Sequence, residues 1–326
     1  MIAPARPDRQ GSCFWKHPAT SMNTSRLTKI TAMVLAAWLC TGWCRADPED
    51  AAAPEAPDAP LVQKTFAQLS ERSVSRIGQR ALAMTSVNWE HSESEHFIFH
   101  TEAGFSTPQL ANAAEQYYAA IKDDLGVTED SFQRKSHIYV FLSEPAWRQF
   151  AASVNVEGWT GGFCTGRELF FQTRAHFRFQ GTTLAHEMTH LALYRFVGGD
   201  LPLWLNEGFA EFESTRLVRS YLKRRSYRES NLSPPVAPDD YVPLEALTSA
   251  VDYPSGTEQV KAFYAESQRL VCLFYDQGGG MPRLLQFMKR QSQGLNFESA
   301  AREVYSGQFM DSQSFEKKFA VFATRQ

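Results

Sequence analysis

The stretch Thr183-Leu184-Ala185-His186-Glu187-Met188-Thr189-His190-Leu191-Ala192-Leu193 constrains this chain more than any other. Its apolar residues recur at helical spacing and no proline interrupts it, so it predicts a helix. On a helix, residues four apart differ by about 40° around the axis, and both imidazoles project from one face, close enough to grip one cation. Glu187 sits roughly 100° round from His186 and can flank that cation without binding it. Leu184, Ala185, Met188 and Leu191 suit a largely buried helix. The H-E-x-x-H pattern has this meaning only on a helix. The bland alternative is a pair of histidines satisfied inside a core helix.

A second segment, Trp204-Leu205-Asn206-Glu207-Gly208-Phe209-Ala210-Glu211-Phe212, begins after a turn built around Gly198-Gly199. Sixteen residues separate His190 from Glu207. Two histidines leave a tetrahedral zinc short of ligands, since a catalytic site typically has three protein ligands plus water. Glu207, on the next helix, supplies the third. Glu211 lies one turn further on the same face and is placed to accept the other ring N–H of a ligand histidine, fixing its tautomer. An ordinary solvated i,i+4 face is the competing reading, and the apolar neighbours Trp204, Leu205, Phe209 and Phe212 disfavour it.

Together, His186-Glu187-Met188-Thr189-His190 and Asn206-Glu207-Gly208-Phe209-Ala210-Glu211 resemble the gluzincin metallopeptidases, especially the peptidase MA-like domains and, more distantly, the thermolysin and zinc aminopeptidase groups. The resemblance implies an α+β, thermolysin-like catalytic fold, with a small mixed sheet over the active-site helix and a helical C-terminal subdomain. It implies that His186, His190 and Glu207 bind zinc and that Glu187 is the catalytic carboxylate. Tyr264, in Ala262-Phe263-Tyr264-Ala265-Glu266-Ser267, resembles the tyrosine that stabilises the oxyanion in zinc aminopeptidases, with Tyr241 and Tyr253 as alternatives. The exopeptidase motif G-x-M-E-N of the aminopeptidases is replaced here by Thr160-Gly161-Gly162-Phe163-Cys164-Thr165-Gly166, which argues against aminopeptidase activity. The spacing of sixteen is slightly shorter than in the best-known relatives, which marks the inter-helix turn as a point of difference.

The remaining sequence frames that site. From Met22, a short basic region with Arg26 and Lys29, an apolar run Ile30 to Trp43 and Cys44-Arg45-Ala46 have the layout of a Sec signal peptide starting at Met22 and cleaved after Ala46. Residues 1–46 are therefore read as extension and signal, giving a secreted or periplasmic protein without stable membrane insertion after cleavage. Residues 47–60, all Ala, Pro, Asp or Glu, form a disordered linker. Residues 61–326 form the metallopeptidase domain, sheet-containing at about 90–196 and helical at about 200–326. With 33 basic against 36 acidic residues, net charge is −3, and composition gives no reason to expect a nucleic-acid partner.

Strands are expected at 96–101, 137–142 and 168–172, and helices at 108–124, 144–152, 180–196, 203–220, 257–276, 281–292, 296–305 and 312–323. The stretch 61–82 reads as amphipathic, 224–240 as a polar loop, and 157–172 as an edge along which an extended peptide could lie. Cys164 and Cys272 could pair in an oxidising compartment. His91, His96 and His100 read as an exposed strand face in preference to a second metal site, and the basic run 216–225 as a solvated helix face. The expected activity is zinc-dependent hydrolysis of a peptide or protein substrate. Its rivals are an inactive zinc-binding assembly protein of the same fold and a zinc hydrolase acting on another substrate.

Overall fold

A computed structural model describes residues 60–128, 134–156, 161–173, 181–197, 201–221, 232–277, 279–309 and 311–325. The signal segment, residues 47–59 of the Ala/Pro/acidic linker, the Gly198-Gly199 turn and residues 224–231 of the 224–240 loop lie outside the described residues.

The chain opens with strand β1 (Val62–Lys64), a short 3-10 turn and helix α1 (Arg76–Leu82), where a single amphipathic stretch was expected. Ser75 breaks that stretch, because its hydroxyl caps the N–H groups of Ile77 and Gly78. Strands β2 (Trp89–Glu93) and β3 (Phe97–Glu102) follow, then helix α2 (Thr107–Asp124), strand β4 (Ser136–Phe141) and helix α3 (Glu144–Ser153). A hairpin of β5 (Gly162–Thr165) and β6 (Glu168–Gln172) completes a six-stranded mixed sheet in the order β1-β2-β3-β4-β6-β5. Pairs β3/β4 and β4/β6 are parallel and the others antiparallel. The parallel pairs follow from crossovers through α2 and α3.

Central β4, Ser-His-Ile-Tyr-Val-Phe, is buried along its whole length, so both sheet faces are covered. On one face Phe97, Phe99, Ile138, Val140, Leu169 and Phe171 pack against α2 and helix α4 (Gly181–Ala192). On the other, Tyr139, Phe141, Phe163 and Phe170 pack against α3 through Trp147 and Phe150. Helix α4 buries Leu184, Ala185, Met188, Leu191 and Ala192 against the sheet, which turns His186 and His190 away from it. A π-helical turn at Leu193–Val197 then interrupts the helix expected to continue to 196. Five helices follow that were expected, α5 (Leu203–Tyr221), α7 (Thr257–Gln277), α8 (Gly280–Ser292), α9 (Phe297–Val304) and α10 (Ser312–Thr324), and one that was not, α6 (Leu244–Ser249). They enclose a separate apolar cluster around Trp204, Phe209, Phe274 and Phe287. Cys164 packs in the sheet cluster and Cys272 in the helical one, and no disulfide joins them. No described helix is long and apolar enough to cross a membrane.

Two expectations about charged groups change. Arg216 pairs with Asp124 and with Glu213, the latter at 3.2 Å, so the basic run begins with a packed residue. His91, His96 and His100 do not form an exposed strand face. His96 precedes β3 and lies 2.6 Å from Glu115. His91 and His100 are register partners on β2 and β3, joined Nδ1 to Nδ1 at 2.9 Å, and His100 Nε2 meets His137 Nδ1 at 2.9 Å. His100 and His137 are fully buried, and Tyr139 stacks on His100 with centroids 4.5 Å apart.

That imidazole chain predicts an acid-sensitive fold. Burial pushes His100 well below the usual histidine range and His137 down to about 4, with Glu71 and Glu93 favouring the His137 cation and Arg167 opposing it. A histidine with a depressed folded pKa leaves the unfolded state binding more protons below about pH 6.5, so stability is intact above that pH and falls toward pH 4. His137 alone accounts for about 3 kcal/mol across that window. Denaturation measured from pH 7 to pH 4 should show a shallower loss in a His137→Phe variant than in wild type; equal slopes would contradict the assignment.

Candidate metal centre

Helices α4 and α5 bring together the three side chains expected from the sequence. His186 and His190 place their Nε2 atoms 3.0 Å apart, and Glu207 Oε2 lies 3.4 Å from the first and 3.5 Å from the second. All three residues are buried. Among the described residues, they are the one group of histidine, cysteine and carboxylate side chains that converges as metal ligands.

The arrangement fits a tetrahedral ion of zinc's size. Ligand bonds of about 2.0–2.1 Å in a tetrahedron separate neighbouring donor atoms by about 3.3 Å, and the three edges here scatter around that value. Glu207 Oε2 is buried and accepts no hydrogen bond among the described residues, an expensive state unless a cation faces it. The electrostatics agree. Burial opposes protonation of His186, but the carboxylates of Glu207 and Glu211 outweigh it and hold that imidazole well above its usual range. Burial would raise Glu207, and the facing His190 and His186 rings overcome it and hold the carboxyl far below its ordinary value. The cluster therefore draws positive charge, and a divalent cation held by the same atoms satisfies that demand.

Each of these residues is gripped at its other end. His186 Nδ1 lies 3.1 Å from Glu211 Oε1, the position expected for Glu211. His190 Nδ1 lies 3.3 Å from Asn206 Oδ1. These contacts favour a proton on Nδ1 and leave Nε2 free to coordinate. Glu207 Oε1 accepts a 2.7 Å hydrogen bond from the Tyr253 hydroxyl. Sequence reasoning assigned no role to Asn206 and considered Tyr253 only as an oxyanion donor. Asn206 carries a signal, being the neighbour of Glu207 on the same helix; Tyr253, 46 residues away along the chain, carries none.

Glu187 lies beside the cluster on α4, 2% exposed, and neither carboxylate oxygen has a hydrogen-bond partner among the described residues. Burial raises its pKa, against the pull of the His186 and His190 rings. Tyr264, on α7, sits with its ring centroid 6.4 Å from that of His186 and 6.0 Å from that of Tyr253. Tyr241, the remaining candidate, bonds Glu316 at 2.7 Å. The close seat of α7 on α5 depends on Gly208: a Cβ there would overlap the Ser267 carbonyl oxygen and lie 2.6 Å from its carbon.

The fold and this cluster define a mixed α/β protein with a two-histidine, one-carboxylate cluster that could hold a metal ion. No protein-family model matches the chain, and no curated protein matches it. Among solved structures it is similar to leukotriene A4 hydrolase of Saccharomyces cerevisiae, with 13% identity, a TM-score of 0.45, and coverage of 70% of this chain and 37% of that one. It is also similar to native yeast LTA4 hydrolase, at 13% identity and TM-score 0.44 over 72% of this chain and 39% of that one. The same enzyme in complex with bestatin gives 14% identity and TM-score 0.44 over 71% and 38%. The chain thus spans under two fifths of the length of those enzymes.

Proposed function

We propose that this protein is a zinc-dependent hydrolase of peptide bonds, of gluzincin type, with a thermolysin-like catalytic domain. The observation that carries the reading is the convergence of His186, His190 and Glu207 at tetrahedral spacing beside the buried carboxyl of Glu187, which has no hydrogen-bond partner among the described residues. His186, His190 and Glu207 would hold a zinc ion, which when bound would supply a water of lowered pKa and polarise a substrate carbonyl. Glu187 takes the proton of the attacking water and returns it to the leaving amine, a role suited to a carboxyl whose pKa burial has raised. Glu211 and Asn206 hold the imidazoles in the coordinating tautomer. Tyr264 supplies a phenol donor on the His186 side for the developing oxyanion.

The substrate lies as an extended peptide along β5, which is the sheet's edge strand and packs on the α4 side through Cys164. A strand added there needs backbone groups more than side-chain pockets, consistent with Gly162, whose missing Cβ would lie 2.8 Å from that of Phe171. Segment 22–46 directs the protein to a secreted or periplasmic location, where polypeptide is the substrate.

The test is metal analysis of the purified mature chain followed by a mixed-peptide cleavage screen. About one zinc per chain, with cleavage lost on chelation and restored by zinc, is the expected outcome. Bound zinc without cleavage of any peptide would favour the inactive binding protein, and a chain that stays metal-free in excess zinc would end both readings.

A further inference from the structure

We propose that Tyr253 is a positioning residue for the metal centre, fixing Glu207 so that one carboxylate oxygen, Oε2, is presented to the ion and the other is withheld. The inference rests on the reading of His186, His190 and Glu207 as ligands, and adds to it a residue that no ligand motif contains.

The geometry points to this role in three ways. A free carboxylate can bind a cation through one oxygen or both. Here Oε1 is occupied by the Tyr253 hydroxyl at 2.7 Å, while Oε2 lies 3.4 and 3.5 Å from the two imidazole nitrogens and accepts no hydrogen bond among the described residues. The phenol O–H therefore distinguishes two oxygens that are otherwise equivalent. Second, the phenol is itself held: its ring stacks on that of Tyr264, with centroids 6.0 Å apart and planes at 20°. Third, Tyr253 comes from the link between α6 and α7, outside the two ligand helices. The carboxylate is thus braced from outside α4 and α5, completing the set in which Glu211 serves His186 and Asn206 serves His190.

Outer partners of this kind change metal affinity by about 10–100-fold. The experiment compares wild type, Tyr253→Phe and Tyr241→Phe. Tyr241 is the matched control, since its hydroxyl bonds a different carboxylate, Glu316, at the same 2.7 Å. Zinc affinity is read by competition with a chromophoric chelator, and coordination by the visible spectrum of the cobalt(II)-loaded protein. Tyr253→Phe should weaken zinc about 10–100-fold and reduce the cobalt absorption intensity as Glu207 turns bidentate and the ion gains a ligand. Tyr241→Phe should leave both readings at wild-type values. Because removing the hydroxyl can also lower stability, the zinc-induced rise in Tm is measured on each variant, and it should shrink for Tyr253→Phe alone.

Unchanged affinity, spectrum and zinc-induced rise in Tyr253→Phe would overturn the proposal while leaving the metal centre intact. A wild-type chain that takes up neither zinc nor cobalt would instead remove the centre itself, and the inference with it. Equal losses in both tyrosine variants would reduce Tyr253 to a general packing role and also defeat it.

Discussion

Glu187→Gln is expected to lower peptide cleavage by about 10²–10⁴-fold, the contribution of a positioned general base, while leaving metal stoichiometry unchanged. The substitution keeps the size of the side chain and removes its ability to take a proton. Glu187 belongs to no ligand edge of the cluster, so the ion should stay in place. The same change should not destabilise the fold. The wild-type carboxyl is 2% exposed with both oxygens lacking a described hydrogen-bond partner, and a buried charge in that state costs several kcal/mol of solvation relative to a neutral amide. An equal or higher Tm is therefore expected alongside the rate loss, the pattern of a residue kept for chemistry at the expense of stability. Steady-state kinetics, metal analysis and thermal melts on one preparation check all three. A variant that cleaves at the wild-type rate would remove Glu187 from the mechanism, and one that loses its metal would make it a ligand.

Gly208→Ala is the second large effect. An added methyl would overlap the Ser267 carbonyl oxygen and lie 2.6 Å from its carbon, and both atoms belong to backbone that cannot rotate away. Helices α5 and α7 would have to separate. Overpacking of this kind costs about 1–3 kcal/mol, more where backbone must move, and on a domain of this size roughly 2–4 °C in Tm accompanies each kcal/mol. The consequence for the site is more specific than the loss of stability. Glu207 and Glu211 flank Gly208 on α5, and Tyr264 stands one turn before Ser267 on α7. Moving one helix off the other pulls a ligand and its neighbours apart together. Weaker zinc binding and a fall in Tm of several degrees are expected, set against Gly307→Ala, where a Cβ would meet nothing within 4 Å. Should Gly208→Ala melt and bind zinc like Gly307→Ala, the close crossing is not needed.

The converging side chains of the cluster were legible in the sequence because their geometry is local. His186 and His190 are one helical turn apart, and Glu207 and Glu211 repeat that spacing among apolar residues. Helices α2, α5 and α7 through α10 were legible for the same reason, as their buried positions recur at helical intervals. Strand β2 was not, because Trp-Glu-His-Ser-Glu is polar at most positions and becomes a strand through pairing with β3. The histidine chain escaped notice because His137 joins His100 only once β3 and β4 pair in parallel. Tyr253 was hidden for a similar reason: nothing near position 253 refers to position 207. Local pattern therefore revealed which side chains converge, while tertiary contacts determine what holds their atoms in place.

The π-helical turn at Leu193–Val197 follows His190 by three residues. Such a turn carries one residue more than an α-helical turn of the same reach, so it behaves as a one-residue insertion already absorbed into the backbone. Excising a single residue between 193 and 197 would let ordinary α-helix run through the segment, and would swing the direction in which the chain leaves α4 by roughly 100°. The imidazole pair would be untouched, yet Glu207 would be delivered from the wrong bearing. The phase of one short turn, rather than the identity of any ligand, thus decides whether the two halves of the centre face each other.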